Sequence, residues 1–244
     1  MKWQRRVSSP ASKRQYVREL FATIADRYDL ITVLLSGGLD RRWKAKLVAS
    51  IEWPAHPRVL DLACGTGDIA FAAAAKGGRV VGLDITHRML QLASVKPRAL
   101  RPVRFVTGDM MALPFPDASF DVITTGYGLR NVPDLGGALR EMVRVLRPGG
   151  RMLSLDFNRP ASPAVRGVYL AYLMVVGSAL GWILHGDPDT YRYIPESLVR
   201  YPGAAGVATM MREEGFTHVS WWPLLGGLMA INAGQVAPTP NVAR

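Results

Sequence analysis

The stretch Arg58–Asp68 constrains the fold of this chain more than any other. It reads RVLDLACGTGD, an apolar run followed by a turn of small residues that contains Gly65 and Gly67. A helix-forming run, Ile69–Lys76, comes next. The pattern predicts a buried strand, a tight loop and a helix that Asp68 caps. Because glycine has no Cβ, such a loop lets the backbone approach a bound ligand closely.

Strand-like and helix-like runs alternate after this stretch. The strand-like runs are Arg58–Leu62, Arg79–Asp84, Val103–Thr107, Phe120–Thr125 and Arg151–Phe157, and the helix-like runs are Ile69–Lys76, Arg88–Val95 and Leu135–Leu146. The alternation predicts an α/β fold with a mostly parallel sheet and helices on both faces. Two later strand candidates, His218–Pro223 and Leu228–Ala233, can pair as an antiparallel hairpin at one edge, which gives seven strands.

The 244 residues suit one domain with short extensions. We predict a basic mobile arm over 1–15, a single domain over 16–234 and a flexible tail over 235–244. Helical spacing of apolar residues over 16–52 predicts an N-terminal helical lid.

A second helical segment, 162–200, is predicted to cover the substrate. It contains Gly167–Leu184, eighteen uncharged residues, which is at the lower limit for a membrane-spanning helix. Its glycines, and the return of the chain to the sheet, favour an apolar helix or helix pair over one end of the sheet. Such a segment can form the wall of an apolar pocket.

The charge of the chain is strongly positive and unevenly distributed. The net charge is +11, and residues 1–50 hold eleven Lys or Arg against four Asp or Glu. This asymmetry suggests nucleic acid, an anionic membrane surface or an acidic substrate as partner, but charge alone favours a solubilising face with a loose basic arm. The single cysteine, Cys64, excludes an intramolecular disulfide, and no apolar signal sequence follows the basic N-terminus, so the cytoplasm is the expected compartment.

Two cofactors fit the glycine loop. The run Gly65–Ala70 matches the dinucleotide pattern G-x-G-x-x-[GA], and Asp84 ends the next strand, where it can bind a ribose diol. Carboxylates at Asp61 and Asp68 disfavour a pyrophosphate beside this helix start. Aspartates at successive strand ends, with Asp109 as the third, suit the sulfonium, ammonium group, ribose and adenine of S-adenosylmethionine.

Four motifs make the chain resemble the ubiquinone/menaquinone C-methyltransferases. They are Val59–Asp68, Leu113–Asp117, Gly126–Val132 and Arg144–Gly150. More specific similarities lie at Tyr127–Asn131, Arg27–Leu30, Leu35-Ser36, Trp43, Asp189–Tyr193 and Pro195–Leu198. The resemblance covers about residues 16 to 234.

The resemblance implies a Rossmann-like class I S-adenosylmethionine-dependent methyltransferase that needs no metal. Its reaction would be C-methylation of a prenylated hydroquinone, with conversion of demethylmenaquinol to menaquinol favoured. A benzoquinol of ubiquinone synthesis and a phytyl-naphthoquinol are the alternatives. An RNA methyltransferase ranks lower, since the segment after the fourth strand lacks the Asn/Asp-Pro-Pro-aromatic run of base-amino methylation and aromatic residues are not interleaved with basic ones.

The resemblance also assigns site residues. It implies catalytic or acceptor-side roles for Arg130, Asn131 and Tyr28; an ion pair between Arg130 and Asp134 or Glu141 is the structural alternative. The cofactor-binding candidates are Asp61, Gly65, Thr66, Gly67, Asp84, Ile85, Asp109, Met110 and Gly126.

The chain departs from the family pattern in two places. Ile31-Thr32 and Asp40 stand where the family usually has Met-Asn and then His, and Asp156–Asn158 replaces the usual Glu-Phe-Ser. The expected partners are a lipophilic prenylated quinol and an anionic membrane surface at the inner membrane face. No nucleic acid is expected, and a homodimer is left open.

Overall fold

The computed structural model describes residues 9–96 and 102–238. The helices are α1 (Pro10–Ile24), α2 (Tyr28–Ser36), α3 (Asp40–Ala49), α4 (Asp68–Ala75), α5 (His87–Val95), α6 (Leu135–Val145), α7 (Pro163–His185), α8 (Tyr193–Arg200) and α9 (Gly203–Glu213). The strands are β1 (Arg58–Leu62), β2 (Arg79–Asp84), β3 (Val103–Thr107), β4 (Phe120–Gly126), β5 (Leu146–Phe157), β6 (Phe216–Leu224) and β7 (Met229–Val236). Short 3-10 turns lie at Ala25–Arg27, Leu129–Asn131 and Leu225–Gly227.

The seven strands form one sheet in the order β3-β2-β1-β4-β5-β7-β6. The first five strands run parallel, and β7 is antiparallel to both β5 and β6. The short turn at Leu225–Gly227 requires this, since a tight connection can join only antiparallel neighbours. The predicted mostly parallel sheet with an antiparallel edge hairpin is confirmed. Its strand order reverses between β1 and β4, where the carboxyl ends of the strands leave a crevice.

Apolar layers cover both faces of the sheet. Along β1, Leu60 and Leu62 pack in one core cluster and Val59 in the other, since successive strand side chains point to opposite faces. The first cluster contains Met142 of α6, and the second contains Ala73 of α4. A strand buried on both faces must be apolar throughout, which explains why these runs were recognisable in the sequence.

Several predicted boundaries differ from the structure. The arm predicted over 1–15 overlaps α1, which begins at Pro10 because Ser9 and Ser12 form a reciprocal capping box. Strand β5 begins at Leu146, whereas the predicted strand begins at Arg151 and Leu146 was assigned to the preceding helix. At the other end, β7 runs to Val236, inside the predicted tail. Residues 1–8 and 239–244 lie outside the described part of the chain.

Helix α7 is a single 23-residue helix, the first of the two alternatives predicted for this segment. It is long and apolar enough to cross a membrane by length and composition, and only 17% of its apolar window is buried. Side chains such as Val168, Val175 and Trp182 are about 70% exposed. Length and composition alone are weak evidence for a span, but an exposed apolar helix of this size is unusual for a protein surface.

The N-terminal helices and α7 meet in a third, smaller apolar cluster. Ile24, Ile31 and Tyr191 are its buried members, and Leu180 and Leu184 of α7 pack against them. This cluster joins the two segments predicted as lid and cover. Together they enclose the space beside the carboxyl ends of the strands.

Candidate active site

The glycine loop between β1 and α4 is held by one carboxylate. Asp84, at the end of β2, accepts hydrogen bonds from the backbone N–H groups of Gly65 and Thr86, both at 2.8 Å. Burial raises the pKa of Asp84, and these two N–H donors oppose that rise. Gly65 and Gly67 have φ of 53° and 88°, values that favour glycine. The loop therefore depends both on its glycines and on Asp84.

A narrow cavity of about 80 Å³, here called the donor cavity, lies against this loop. Eight predicted site residues line it: Gly65, Asp84, Ile85, Asp109, Met110, Gly126, Tyr28 and Asn131. They come from the ends of four parallel strands, from the turn after β4 and from α2. The structure thus brings most of the predicted set together.

Three of the predicted cofactor-binding residues lie outside the donor cavity. Asp61 is the fourth residue of β1, and its Oδ1 accepts a hydrogen bond from the Thr124 hydroxyl of β4 at 2.8 Å. Thr66 donates instead to Asp29 of α2, at 2.6 Å. A Cβ on Gly67 would lie 2.8 Å from the Phe71 ring. Asp61 therefore does not line the cavity with Asp84 and Asp109, because its side chain points across to β4.

Burial raises the pKa of Asp61 to about 7, although the Thr124 hydrogen bond and Lys44 lower it. The second oxygen, Oδ2, has no hydrogen-bond partner among the described residues. Removal from water penalises the charged carboxylate more than these contacts favour it.

Helix α1 closes the donor cavity from outside the sheet. Arg14 pairs with Asp109 at 3.2 Å, and Lys13 Nζ donates to the carbonyl of Val132 at 2.6 Å. Val17 and Phe21 of the same helix line the cavity. The sequence did not reveal this role, because residues before 16 were assigned to a loose arm; the capping pair at Ser9 and Ser12 was the available signal.

A second and larger cavity, here called the acceptor cavity, lies between the lid and α7. Its volume is about 690 Å³ and its lining is predominantly apolar, from α1, α2, α7 and the turn before β7. Phe21, Tyr28 and Tyr127 line both cavities. The two spaces therefore meet at these three aromatic side chains.

Arg130 enters the acceptor cavity from the turn after β4. Its Nε lies 3.3 Å from Asp156 Oδ1, and its guanidinium carbon lies 4.9 Å from the centre of the Phe157 ring. Its Nη1 donates to Asn131 Oδ1 at 3.2 Å and to Ser197 Oγ at 3.1 Å. Arg130 is thus a buried and oriented cation.

The structural alternative for Arg130 does not form. Asp134 pairs with Arg140, and Glu141 pairs with Arg144. Burial raises the pKa of Asp156 to about 6 in spite of Arg130.

A chain of ion pairs connects the lid to the glycine loop. Lys44 of α3 pairs with Asp40 at 2.8 Å and with Asp68 at 2.9 Å, and Lys96 pairs with Asp68 and Asp29. Asp68 is the first residue of α4 and does not cap it; Gly67 holds the N-cap position. The predicted capping role of Asp68 is therefore wrong, since its carboxylate is turned towards the two lysines.

No group of three or more His, Cys, Asp or Glu side chains that could hold a metal ion occurs within residues 9–96 and 102–238.

Comparison with solved structures identifies the class of protein. An S-adenosylmethionine-dependent methyltransferase from Thermotoga maritima superposes with a TM-score of 0.66 over 89% of this chain and 98% of its own, at 18% identity. One from Mesorhizobium loti gives a TM-score of 0.59 over 81% of this chain and 100% of its own, at 19% identity. The fold is that of the Rossmann-like class I methyltransferases.

Sequence comparison identifies the family. The model of the ubiE/COQ5 methyltransferase family matches residues 10–236. Among curated relatives, a ubiquinone/menaquinone biosynthesis C-methyltransferase of Methylobacterium nodulans is 42% identical over 91% of both chains. A demethylmenaquinone methyltransferase of Deinococcus radiodurans is 42% identical over 86% of this chain and 88% of its own. The chain belongs to the ubiE/COQ5 methyltransferase family, and it is a methyltransferase.

The raised pKa of Asp61 predicts a pH-dependent stability difference. An Asp whose pKa is about 7 in the folded state and about 4 in the unfolded state stabilises the fold most below pH 4. That contribution is lost as the pH rises through 7, because the folded protein must then bury the charge. Asp61→Asn does not titrate, so its stability relative to wild type should rise by about 2 kcal/mol between pH 5 and pH 8.

Urea unfolding of both proteins at the two pH values measures this difference. Asp117→Asn, at a side chain that is 77% exposed, is the control and should show little change with pH. If the free energies of unfolding of Asp61→Asn and wild type differ by the same amount at pH 5 and pH 8, the raised pKa of Asp61 is contradicted.

Proposed function

We propose that this enzyme transfers a methyl group from S-adenosylmethionine to a ring carbon of a prenylated hydroquinone, converting demethylmenaquinol to menaquinol. The observation that carries the proposal is the meeting of two unlike cavities at Phe21, Tyr28 and Tyr127. One cavity has carboxylates at strand ends, and the other is large and apolar. Methyl transfer needs a polar donor and an acceptor carbon held in contact and away from water.

The donor cavity has the side chains that S-adenosylmethionine requires. Asp84 uses one lone pair on each oxygen for the backbone, which leaves others to accept from a ribose diol. Asp109 follows the end of the next strand and lines the same cavity, where its carboxylate can accept a hydrogen bond from an adenine amino group. Ile85 and Met110 offer apolar faces to the base. When bound, this cofactor supplies an electrophilic methyl group.

The acceptor cavity suits a hydroquinone ring and the first part of an isoprenoid tail. Apart from Arg130, its side chains are apolar, aromatic or hydroxyl-bearing. A tail longer than the cavity must leave through the mouth. That mouth is bordered by residues that both line the cavity and remain more than 40% exposed: Val165, Val168, Tyr172 and Leu225.

The chemistry needs a stabilised oxyanion. The ring carbon becomes nucleophilic when the adjacent hydroxyl loses its proton, and the ring hydrogen must leave as a proton after the methyl group has been transferred. Arg130 places a positive charge in the same cavity. The guanidinium has five N–H donors, so its contacts with Asp156, Asn131 and Ser197 leave donors for the acceptor oxygen. Asn131 is fixed in turn, because its Nδ2 donates to the carbonyl of Tyr127 at 2.9 Å.

An anaerobic methyl-transfer assay tests the proposal. The purified enzyme is given S-adenosylmethionine with short-chain demethylmenaquinol, with a demethylated benzoquinol of equal tail length, or with RNA, and the products are identified by mass. Methylation of the naphthoquinol at the ring carbon is the expected result. Faster methylation of the benzoquinol would instead assign the enzyme to ubiquinone synthesis. Methylation of RNA with no methylation of either quinol would overturn the proposal.

Replacement of Arg130 should separate turnover from donor binding. Arg130→Ala removes the cation that faces the acceptor, so kcat should fall by roughly 10²–10³, as for the loss of an oxyanion donor. Affinity for S-adenosylhomocysteine should stay within about threefold, since Arg130 lines only the acceptor side of the two cavities.

Two further variants keep the Arg130 test interpretable. Arg130→Lys retains a charge beside Asp156 and should fold even if the alanine variant does not, yet should still lose turnover because lysine lacks the planar fork. Arg140→Ala, at an exposed arginine, is the matched control. Equal losses of turnover and donor affinity in the Arg130 variants would argue against an acceptor-side role.

We also propose that α7 and the neighbouring part of α2 rest on a phospholipid surface. The exposed apolar side chains of α7 continue into the mouth of the acceptor cavity through Val165 and Val168, and Leu30 and Leu34 of α2 are also about half exposed. Helix α7 has one arginine, Arg166, and no acidic residue. An apolar helix face at a cavity mouth fits the interfacial region where a prenylated quinol resides. This would place the enzyme at the cytoplasmic face of the membrane.

Vesicle binding tests the docking face. Val168→Asp with Val175→Asp should reduce binding to phosphatidylethanolamine/phosphatidylglycerol vesicles by at least tenfold, because each places a charge in the apolar region. The control is Val95→Asp on α5, at a valine that is 79% exposed. Equal vesicle binding by wild type, the double variant and Val95→Asp would reject this face. The face would also be rejected if the double variant bound less than wild type only when the vesicles contain phosphatidylglycerol.

A further inference from the structure

Tyr127 stands at the junction of the two cavities with a strained backbone. It follows directly after β4, and its φ of 61° is uncommon for a residue other than glycine. Its ring contacts Phe157 at a centroid distance of 5.8 Å. Backbone strain of this kind persists only where surrounding contacts hold it, and it is frequent at binding sites.

The side chain of Tyr127 is held by a buried hydrogen bond to α3. The Tyr127 hydroxyl lies 2.6 Å from Oδ1 of Asp40, whose exposure is 2%. The other oxygen of Asp40 lies 2.8 Å from Nζ of Lys44, which is itself paired with Asp68. Both carboxylate oxygens of Asp40 are therefore engaged by donors.

This arrangement fixes the direction of the hydrogen bond. A carboxylate only accepts, and a lysine ammonium only donates, so the shared hydrogen must come from Tyr127. Burial and the neighbouring Asp40 raise the pKa of Tyr127 well above its ordinary value, which keeps that hydrogen in place. The phenol has one hydrogen, so its oxygen can offer the cavities only lone pairs.

We infer that Tyr127, oriented by Asp40, is a specificity-determining residue that selects the reduced, hydroxyl-bearing form of the acceptor over the oxidised quinone. A hydroquinone hydroxyl can donate to the Tyr127 oxygen. A quinone carbonyl has no hydrogen to donate and would place its lone pairs against those of the phenol. The inference rests on the proposed function and adds the residue that distinguishes the two redox states of the acceptor.

The identity of residue 40 is essential to the inference. A histidine at this position could donate or accept through its ring nitrogen according to its tautomer, so the tyrosine hydrogen would not be committed. With Asp at this position and Lys44 beside it, only one direction is available.

Binding of matched redox forms tests the inference. The probes are 2-prenyl-1,4-naphthohydroquinone and 2-prenyl-1,4-naphthoquinone, titrated anaerobically in the presence of S-adenosylhomocysteine to prevent turnover. Quenching of Trp43, which lines the acceptor cavity, can report binding, and calorimetry can confirm it. Wild type should bind the hydroquinone at least tenfold more tightly, as expected when a mismatched polar group is left unpaired.

Two variants should change this preference in different ways. Tyr127→Phe removes the lone pairs, so the preference should shrink to within about threefold. In Asp40→Asn the amide oxygen should turn to Lys44 and the amide N–H to Tyr127, which frees the phenol hydrogen for the cavity. The quinone should then bind more tightly than it does to wild type, and because a hydroquinone hydroxyl accepts as well as donates, the preference should fall to about parity. Tyr201→Phe, which removes the hydroxyl of a buried tyrosine outside both cavities, should retain the wild-type preference.

The outcomes separate this inference from the proposed function. If wild type methylates the hydroquinone but Tyr127→Phe and Asp40→Asn weaken both redox forms equally, Tyr127 has only a structural role and the inference fails alone. If both variants keep the wild-type preference for the hydroquinone over the quinone, the inference also fails alone. If wild type neither binds nor methylates either form, the proposed function fails and the inference with it.

Discussion

The bidentate contact of Asp84 is the interaction on which the donor side of this molecule depends. By accepting from Gly65 and Thr86, its carboxylate joins the loop after β1 to the turn after β2. Without it, two backbone donors at the carboxyl edge would be unsatisfied and the loop would lose its fixed position. The same carboxylate faces the donor cavity, so one side chain both builds the site and lines it.

The lid depends on that loop in turn. Thr66 reaches Asp29, and Asp68 reaches Lys44 and Lys96, so contacts from both sides of the loop connect to α2, α3 and the end of α5. These partly buried charges stabilise the fold only as a connected set, because each one would pay an uncompensated desolvation penalty without its partner. The lid consequently has a defined position over the strand ends, and this position places aromatic side chains between the donor and acceptor cavities.

Much of the fold could be predicted from the sequence because the parallel strands are buried on both faces and read as apolar runs. Strand β5 was placed too late, since Pro148–Gly150 resembles a separating turn although the chain pairs with β4 at Leu146. The role of Arg14 was missed, because composition does not show that a basic N-terminal segment is helical and packed on a site.

Side-chain direction was harder to predict than strand position. Asp61 and Asp84 both belong to acidic positions near strand ends, yet Asp61 lies within its strand and turns to Thr124. Likewise, Arg130 forms its buried ion pair with Asp156, which lies 26 positions away along the chain. Local spacing instead suggested Asp134 or Glu141 as its ion-pair partner. Such contacts depend on strand register, which the sequence pattern leaves open.

Titration of S-adenosylhomocysteine into wild type and Asp84→Ala tests the central claim most directly. If Asp84 both holds the loop and receives the ribose, the variant should bind at least tenfold more weakly, corresponding to the loss of roughly 1.5–3 kcal/mol of charge-assisted hydrogen bonding. Asp117→Ala, at an exposed carboxylate, should bind as wild type does. Unchanged affinity in a folded Asp84→Ala protein would contradict the account.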